Sequence, residues 1–261
     1  MARYQIIIAY DGTEFKGFQR QAKARTVQGV LEAALQRIGW QGQLILGAGR
    51  TDTGVHAAGQ VAAFDMDWEH DPQALQEAIN ANLPADVAVH QVQTADADFH
   101  PRYDALARRY AYHVLFAAWR DPLQERYAWR LWPPVNVEAL QTAACILTGT
   151  HDFAAFGTPP RAGGSTIRTV YQAEWQANGS NLVFEITANA FLYRMVRRVV
   201  YVLVAVGQGR LTIEQVASSL QEGKLEAVPG LAPAHGLSLV EVIYQPEFLE
   251  AIQGFQEGGR R

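Results

Sequence analysis

Apolar and polar positions alternate from the start of the chain. Tyr4, Ile6, Ile8 and Tyr10 share one side and Gln5, Ile7 and Ala9 the other, the period of a strand. Asp11-Gly12 then turns the chain. Thr26 is suited to cap a helix, because Val27, Val30, Leu31, Ala34, Leu35 and Ile38 recur every three or four residues, and Gly39 and Gly42 end it. Apolar runs predict strands around 43–48 and 60–65, with a polar, Gly-rich loop at 47–57 separating them. Asp71-Pro72 is a cap followed by a first-turn proline. It opens a second helix with Leu75, Ala78, Ile79 and Leu83 on one side, stopped by Pro84. Val87 to Val92 is the next strand.

The order to this point is β-α-β-β-α-β, one split unit, and the second half repeats it in element order without sequence identity. A strand is expected near 107–116 and a helix near 137–148 behind Asn136. Strands near 167–176 and 181–187 are joined by Asn178-Gly179. A helix follows near 190–206, another from Thr212, and a closing strand near 239–244. The expected fold is α+β: two similar halves forming a largely antiparallel sheet, with helices on one side and a central cleft. The expected divisions are 1–105, 106–246 and a tail at 247–261. Residues 117–135, with three tryptophans, and 157–166, expected as a mobile loop, stand outside this plan.

Composition narrows the function classes. With 49% hydrophobic and 18% charged residues, the chain is ordinary for a soluble globular protein. No segment approaches the ~20 apolar residues of a membrane helix, and the N-terminal apolar run is too short for a signal peptide, so a cytoplasmic protein without membrane contact is expected. The single cysteine, Cys145, excludes an internal disulfide framework or a thiolate metal cluster and is expected in the core. The formal net charge is −4, so an anionic partner must be met by a local basic patch.

The loop Gly47-Ala48-Gly49-Arg50-Thr51-Asp52-Thr53-Gly54-Val55-His56-Ala57 holds most of the candidate chemistry. Arg50, two residues before Asp52, favours the ionised carboxylate and suits a nucleophile or charge stabiliser. The motif offers no second acid for a two-carboxylate glycosidase. Rossmann and P-loop glycine spacings are absent, and His56 has no companions at metal-ligand spacing, so no metal site is expected and His56 reads as a structural or RNA-contacting histidine. In the strand around Arg108-Arg109-Tyr110-Ala111-Tyr112-His113, Arg108, Tyr110 and Tyr112 share a face. Tyr110 is either a half-buried strand tyrosine or a stacking platform for a base. The helix expected from residue 190 carries Arg194, Arg197, Arg198 and Tyr201 on one face and no acid, which calls for an ionic partner from elsewhere. Phe99-His100-Pro101-Arg102, Arg161 and Arg168 add local positive charge suited to phosphates.

These residues resemble the TruA family of tRNA pseudouridine synthases. Gly49-Arg50-Thr51-Asp52-Thr53-Gly54-Val55-His56-Ala57 is similar to the family's catalytic block. Supporting matches span nearly the whole chain. They include Tyr10-Asp11-Gly12 through Phe15-Lys16-Gly17-Phe18-Gln19, Thr26-Val27-Gln28, Asn80-Ala81-Asn82-Leu83-Pro84 and Phe99-His100-Pro101-Arg102. Later ones are Arg108-Arg109-Tyr110-Ala111-Tyr112, Gly149-Thr150-His151-Asp152-Phe153, Asn189-Ala190-Phe191 leading to Met195-Val196-Arg197, and Ala234-His235-Gly236-Leu237-Ser238-Leu239. Arg198 and Tyr201 depart from the family pattern and bear on local RNA contacts and helix packing.

The resemblance implies an isomerase that converts uridine to pseudouridine in the tRNA anticodon arm, at positions 38, 39 and 40, as a homodimer without a cofactor. It implies that Asp52 is the nucleophilic aspartate, Arg197 its partner, Tyr110 the base-contacting tyrosine, and Arg50 an RNA contact beside the flipped nucleotide. His56, Arg102, Arg161, Arg168 and Arg194 are the further candidate substrate-binding residues. Because Tyr110 and Arg197 lie in the second half, the complete site is expected only when both halves are docked. The rival readings are a non-catalytic tRNA-binding protein of the same fold and a nucleoside- or sugar-processing hydrolase using Asp52.

Overall fold

The period-two stretch at the N-terminus forms β1 (Ala2–Tyr10), which begins a mixed α+β chain; a computed structural model describes residues 1–223 and 230–248. The order continues α1 (Val27–Arg37), β2 (Leu46–Gly47), β3 (His56–Met66), α2 (Pro72–Asn80), β4 (Val87–Ala95), β5 (Ala107–Phe116) and β6 (Trp129–Leu131). It ends with α3 (Val137–Cys145), β7 (Gly149–Asp152), β8 (Ile167–Asn178), β9 (Asn181–Ala188), α4 (Met195–Gly207), α5 (Ile213–Glu222) and β10 (Leu237–Ile243). The chain divides into two units. The first comprises 1–106 with 238–244, and the second 107–237 with 245 onwards. Most of the expected tail lies outside the described residues.

In the first unit β1 pairs antiparallel with both β3 and β4, β2 pairs antiparallel with β3, and β10 joins β3 in parallel. Tyr4, Ile6, Ile8 and Tyr10 are buried while the residues between them are half-buried, the pattern of a sheet with helices against one face. Val27, Leu31, Ala34 and Leu35 supply the matching apolar stripe of α1. Each fully buried aliphatic side chain contributes about 1.5–3 kcal/mol. The caps form where the sequence places them: Thr26 Oγ1 accepts from Gly29 N–H at 3.3 Å and Asp71 Oδ1 from Ala74 N–H at 2.7 Å.

The second unit pairs β5, β9, β8 and β7 antiparallel in that spatial order, with β6 parallel to β5. Asn136 Oδ1 caps α3 through Ala139 N–H at 3.0 Å, and Thr212 and Gln215 make a capping box on α5. α4 is buried nearly all round, including every residue from Val202 to Val206, so it is the inner helix of this unit.

Several boundaries move, each for a local reason. Only Leu46–Gly47 of the expected 43–48 strand pairs, because α1 side chains take the backbone of Ile45. Its N–H donates to Glu32 Oε1 at 3.2 Å and its carbonyl accepts from Gln28 Nε2 at 3.4 Å. His56 is the first residue of β3 rather than part of the loop. The expected helix at 190 begins at Met195. Before it, Asn189 bonds to Thr169, Tyr193 bridges Thr158, and Arg194 turns the chain at φ 64°. Residues 117–135 contain β6, and β7 follows α3; neither strand was expected. Cys145 is exposed at the end of α3, since Ala143 and Ala144 take the inward positions.

The strand expected to close the second half groups with the first unit instead, where β10 lies beside the start of β3. Gly59 makes that approach possible, since a Cβ there would collide with the Val240 carbonyl. Gly59→Ala is therefore expected to lower the thermal midpoint by about 4 °C or more, a cost of about 2 kcal/mol for forcing the strands apart. Gly49→Ala, where a Cβ meets open space, is expected to leave the midpoint within about 1 °C. Scanning calorimetry of the two variants checks both.

Candidate active-site loop and the basic and aromatic residues of the second unit

Asp52 stands in the eight-residue connection between β2 and β3, half-buried, and the residues around it are anchored to three other segments of its unit. Ala48 N–H donates to Val61 O at 2.8 Å and Gln60 Nε2 to Gly49 O at 3.2 Å, which holds the entry of the loop to β3. The Thr51 hydroxyl lies 2.8 Å from the Tyr10 hydroxyl, and the Thr51 carbonyl accepts from Phe18 N–H at 3.1 Å. Gly17, at φ +89°, lets the 15–18 segment pass over that carbonyl, 2.7 Å from where its Cβ would be. Val55 N–H closes a turn onto Asp52 O at 3.1 Å, and Gly54 N–H donates to Phe15 O at 3.3 Å. Arg50 is exposed at the head of this turn.

His56 is 7% exposed and accepts Gly12 N–H on Nδ1 at 2.9 Å. The neutral ring then carries its proton on Nε2. Asp11 Oδ1 lies 3.2 Å from the same Nδ1, so protonation of His56 would exchange the Gly12 contact for an ion pair with Asp11. The alanine-sized space missing at Gly12 is filled by the Val55 carbonyl. His56 therefore braces the turn after β1 against the far end of the loop that carries Asp52. Arg102, also in this unit, is exposed, with its guanidinium 5.8 Å from the Tyr103 ring centroid.

In the second unit Tyr110 lies on β5 opposite Ile186 of β9, half-buried, with its ring edge-on to Phe191 at 5.0 Å. Phe191 belongs to the irregular entry to α4, so that entry steadies one side of the Tyr110 ring. Tyr112, expected on the same face, has another task. It is fully buried, and its hydroxyl donates to Pro233 O at 2.9 Å. Burial drives its acidity well below that of an ordinary tyrosine, against the pull of the Arg197 charge, which keeps the phenol protonated as a donor.

Arg197 sits in the first turn of α4 and donates from Nε to Ala232 O at 2.8 Å, while Ala232 N–H returns a bond to Arg197 O at 3.2 Å. Next along, burial lowers the His235 pKa, outweighing the backbone bond to Ala128 and the Glu125 charge that raise it; Arg197 lowers it further. His235 is thus neutral at pH 7. The segment 232–236 is a bracket that orients Arg197, and Tyr112 and His235 are the members sequence reasoning did not assign. A buried tyrosine on a strand gave no signal of its partner 121 positions away.

The remaining arginines differ. The Arg168 guanidinium donates to Ser165 O at 2.9 Å and Ile167 O at 2.6 Å, and burial lowers its pKa, so it is largely engaged in shaping the end of the 157–166 loop. Arg161 is exposed within that loop, whose Gly164 N–H donates to Arg161 O at 3.0 Å. Arg194 is exposed at the αL turn into α4, 4.7 Å from the Tyr193 ring centroid, and not on the face of the helix with Arg197 and Arg198 as the early helix start had implied. The Thr158–Tyr193 bridge ties the 157–166 loop to the segment carrying Arg194. Among the described residues no group of three His, Cys, Asp or Glu side chains is arranged to hold a metal ion, and no helix is long and apolar enough to cross a membrane.

Comparison with known proteins gives this geometry a family. The model of a tRNA pseudouridine synthase family matches residues 6–104 and 143–245. The tRNA pseudouridine synthase A of Streptococcus equi is 40% identical over 248 residues, spanning 94% of this chain and 100% of that one. That of Halalkalibacterium halodurans is 41% identical over 239 residues, spanning 91% and 90%. The crystal structure of the archaeal box H/ACA sRNP Nop10-Cbf5 complex overlaps at a TM-score of 0.35 with 10% identity, over 97% of this chain and 56% of that one, a likeness too weak to argue from. Through the family match and the two near-full-length relatives, the chain belongs to the TruA family of tRNA pseudouridine synthases and is an isomerase.

Proposed function

We propose that Asp52 is the catalytic carboxylate and that the uridines isomerised are those of the tRNA anticodon arm, at positions 38, 39 and 40. The observation that carries the first part is local. Of the acids in the family's signature block, Asp52 is the only one, and it stands half-exposed on a loop whose backbone is bonded on both sides of it. The target positions rest on the family resemblance alone, as do action as a homodimer and a cytoplasmic location.

The reaction breaks the N1–C1′ bond, turns the base and joins C5 to C1′. The proton lost from C5 balances the one gained at N1, so the chemistry is redox-neutral and calls for no redox cofactor. The uridine leaves its stack first, at a cost of roughly a few kcal/mol. Asp52 assists departure of the base, either by attack at the sugar C1′ or by removing a sugar proton to give a glycal; both routes need an ionised carboxylate. Arg197 is the cation proposed to favour that ionised form, and its Nε bond to Ala232 O fixes the plane of the guanidinium. The edge-on contact to Phe191 occupies one flank of the Tyr110 ring, which supports a role for its face in stacking on the extruded base. Exposed Arg50, Arg102, Arg161 and Arg194 suit phosphate contacts, which give affinity without reading sequence. His56 and Arg168, being engaged within the protein, support the RNA-binding segments rather than touch RNA.

Asp52→Asn is expected to retain fold and tRNA affinity and to lose turnover by on the order of a thousandfold or more. Incubation with unmodified tRNA transcript followed by nucleoside analysis measures this; near-parental pseudouridine yield would refute the assignment. Tyr110→Phe keeps the ring and is expected to bind tRNA within about threefold of the parent. Tyr110→Ala is expected to weaken binding by about tenfold, the worth of one base–aromatic stack. Equal binding constants for the two variants would remove the stacking role.

A further inference from the structure

Thr51 is the residue immediately before Asp52, yet its side chain faces inward, 7% exposed, with its hydroxyl 2.8 Å from that of Tyr10. Both hydroxyls are buried, a placement that costs stability unless each finds a partner. A valine or alanine would fill an inward position in a loop at no such cost, so stability alone does not account for the pair.

Tyr10 is itself aimed. It is the last residue of β1, and the register of β1 on β3 shifts between Ile8, opposite Gln60, and Tyr10, opposite Ala57. Tyr10 nonetheless stays on the buried side with Tyr4, Ile6 and Ile8, so the irregularity changes its partner on β3 and not its inward direction. The ring is then held edge-on to Phe15 and tilted against Phe18, each at 6.5 Å, and is 5% exposed. Its hydroxyl is therefore a fixed point. The Thr51 carbonyl is fixed separately by Phe18 N–H, and the Asp52 carbonyl by Val55 N–H.

We propose that the Tyr10–Thr51 hydroxyl pair is a positioning device: it sets the orientation of the peptide entering Asp52 and so the direction of the carboxylate. Tyr10 and Thr51 are positioning residues, acting through Asp52 and not on the RNA. The hydrogen bonds to the loop backbone fix where Asp52 sits along the chain. The hydroxyl pair fixes rotation of the loop about that line, which backbone bonds on its carbonyl edge leave less constrained. A reacting group displaced by about 1 Å can lose on the order of a hundredfold in rate. The inference rests on the reading of Asp52 as the catalytic carboxylate.

The test separates rate from stability. Tyr10→Phe and Thr51→Val each leave one buried hydroxyl without this partner, and each is expected to lower the melting midpoint and to slow single-turnover pseudouridine formation by about tenfold or more, with the tRNA dissociation constant unchanged. The double variant removes both hydroxyls. It is expected to regain melting stability relative to the single variants while staying as slow as they are. Thr51→Ser keeps the hydroxyl and is expected to stay within about threefold of the parental rate. Recovery of rate together with stability in the double variant would show the pair to be structural only and overturn the proposal. So would single-variant rates within about twofold of the parent, or a loss carried entirely by tRNA affinity. If Tyr10→Phe does not fold, Thr51→Val and the double variant decide the matter. An active Asp52→Asn protein measured alongside would sink the catalytic reading itself, whereas an inactive one with an unaffected Tyr10→Phe would sink this inference alone.

Discussion

The loop that carries Asp52 leaves the sheet between β2 and β3, so its polar backbone has to be satisfied by other means. In the first unit the solution is the anchoring of residues 48–56 to the 10–18 segment. Tyr10 meets Thr51, Gly12 meets His56, Phe15 meets Gly54, and Phe18 meets the Thr51 carbonyl. These contacts join the end of β1 and the chain just after it to the chain leading into β3 and its first residue. The two strands are neighbours, so their ends bring these segments together, and the segments then fix each other. The glycines at 12 and 17 follow from this closeness, since a side chain at either would strike the carbonyl of Val55 or Thr51.

The same logic extends one step outward. Glu32 is 2% exposed on α1, paired with Arg20 at 2.8 Å and bonded by Gln28 at 2.9 Å and by the Ile45 N–H. A buried carboxylate is tolerable only when its lone pairs are occupied, and here they are. The network ties α1 to the segment after Phe18 and to the approach of β2. It thereby delays the start of β2 to Leu46, so that only two residues pair before the loop carrying Asp52 begins. Stability in this region is exchanged for definition of the loop: an apolar core residue at 32 would give burial without holding Ile45.

That exchange explains what was legible in the sequence and what was not. Elements whose formation depends on local periodicity and local caps were visible, as with β1, α1 behind Thr26, α2 behind Asp71 and α3 behind Asn136. The true start of α4 was not, because Asn189 to Arg194 have the composition of a helix and are held out of one by bonds to Thr169 and Thr158, distant in sequence. β10 was visible as a strand but not as a neighbour of β3, since parallel pairing leaves no turn signal. In the loop, Asp52 and Arg50 stood out by residue type and by the family motif. Thr51 and His56 were equally visible as letters, but their inward direction is a tertiary fact.

Arg197 in the second unit follows the principle that governs Asp52. A guanidinium on an exposed helix face would sample many rotamers and lose entropy on meeting an anion. Here Nε is committed to Ala232 O, and that carbonyl belongs to a segment pinned by the Tyr112 hydroxyl at Pro233 and by close packing of Gly236 against the Tyr112 ring. The burial that keeps Tyr112 protonated also keeps this pin in place across the whole pH range in which a carboxylate and a guanidinium are both charged. In each unit one of the supports is a buried hydroxyl on a strand tyrosine: Tyr112 reaches the carbonyl of Pro233 beside the Arg197 partner Ala232, and Tyr10 meets the hydroxyl of Thr51 beside Asp52.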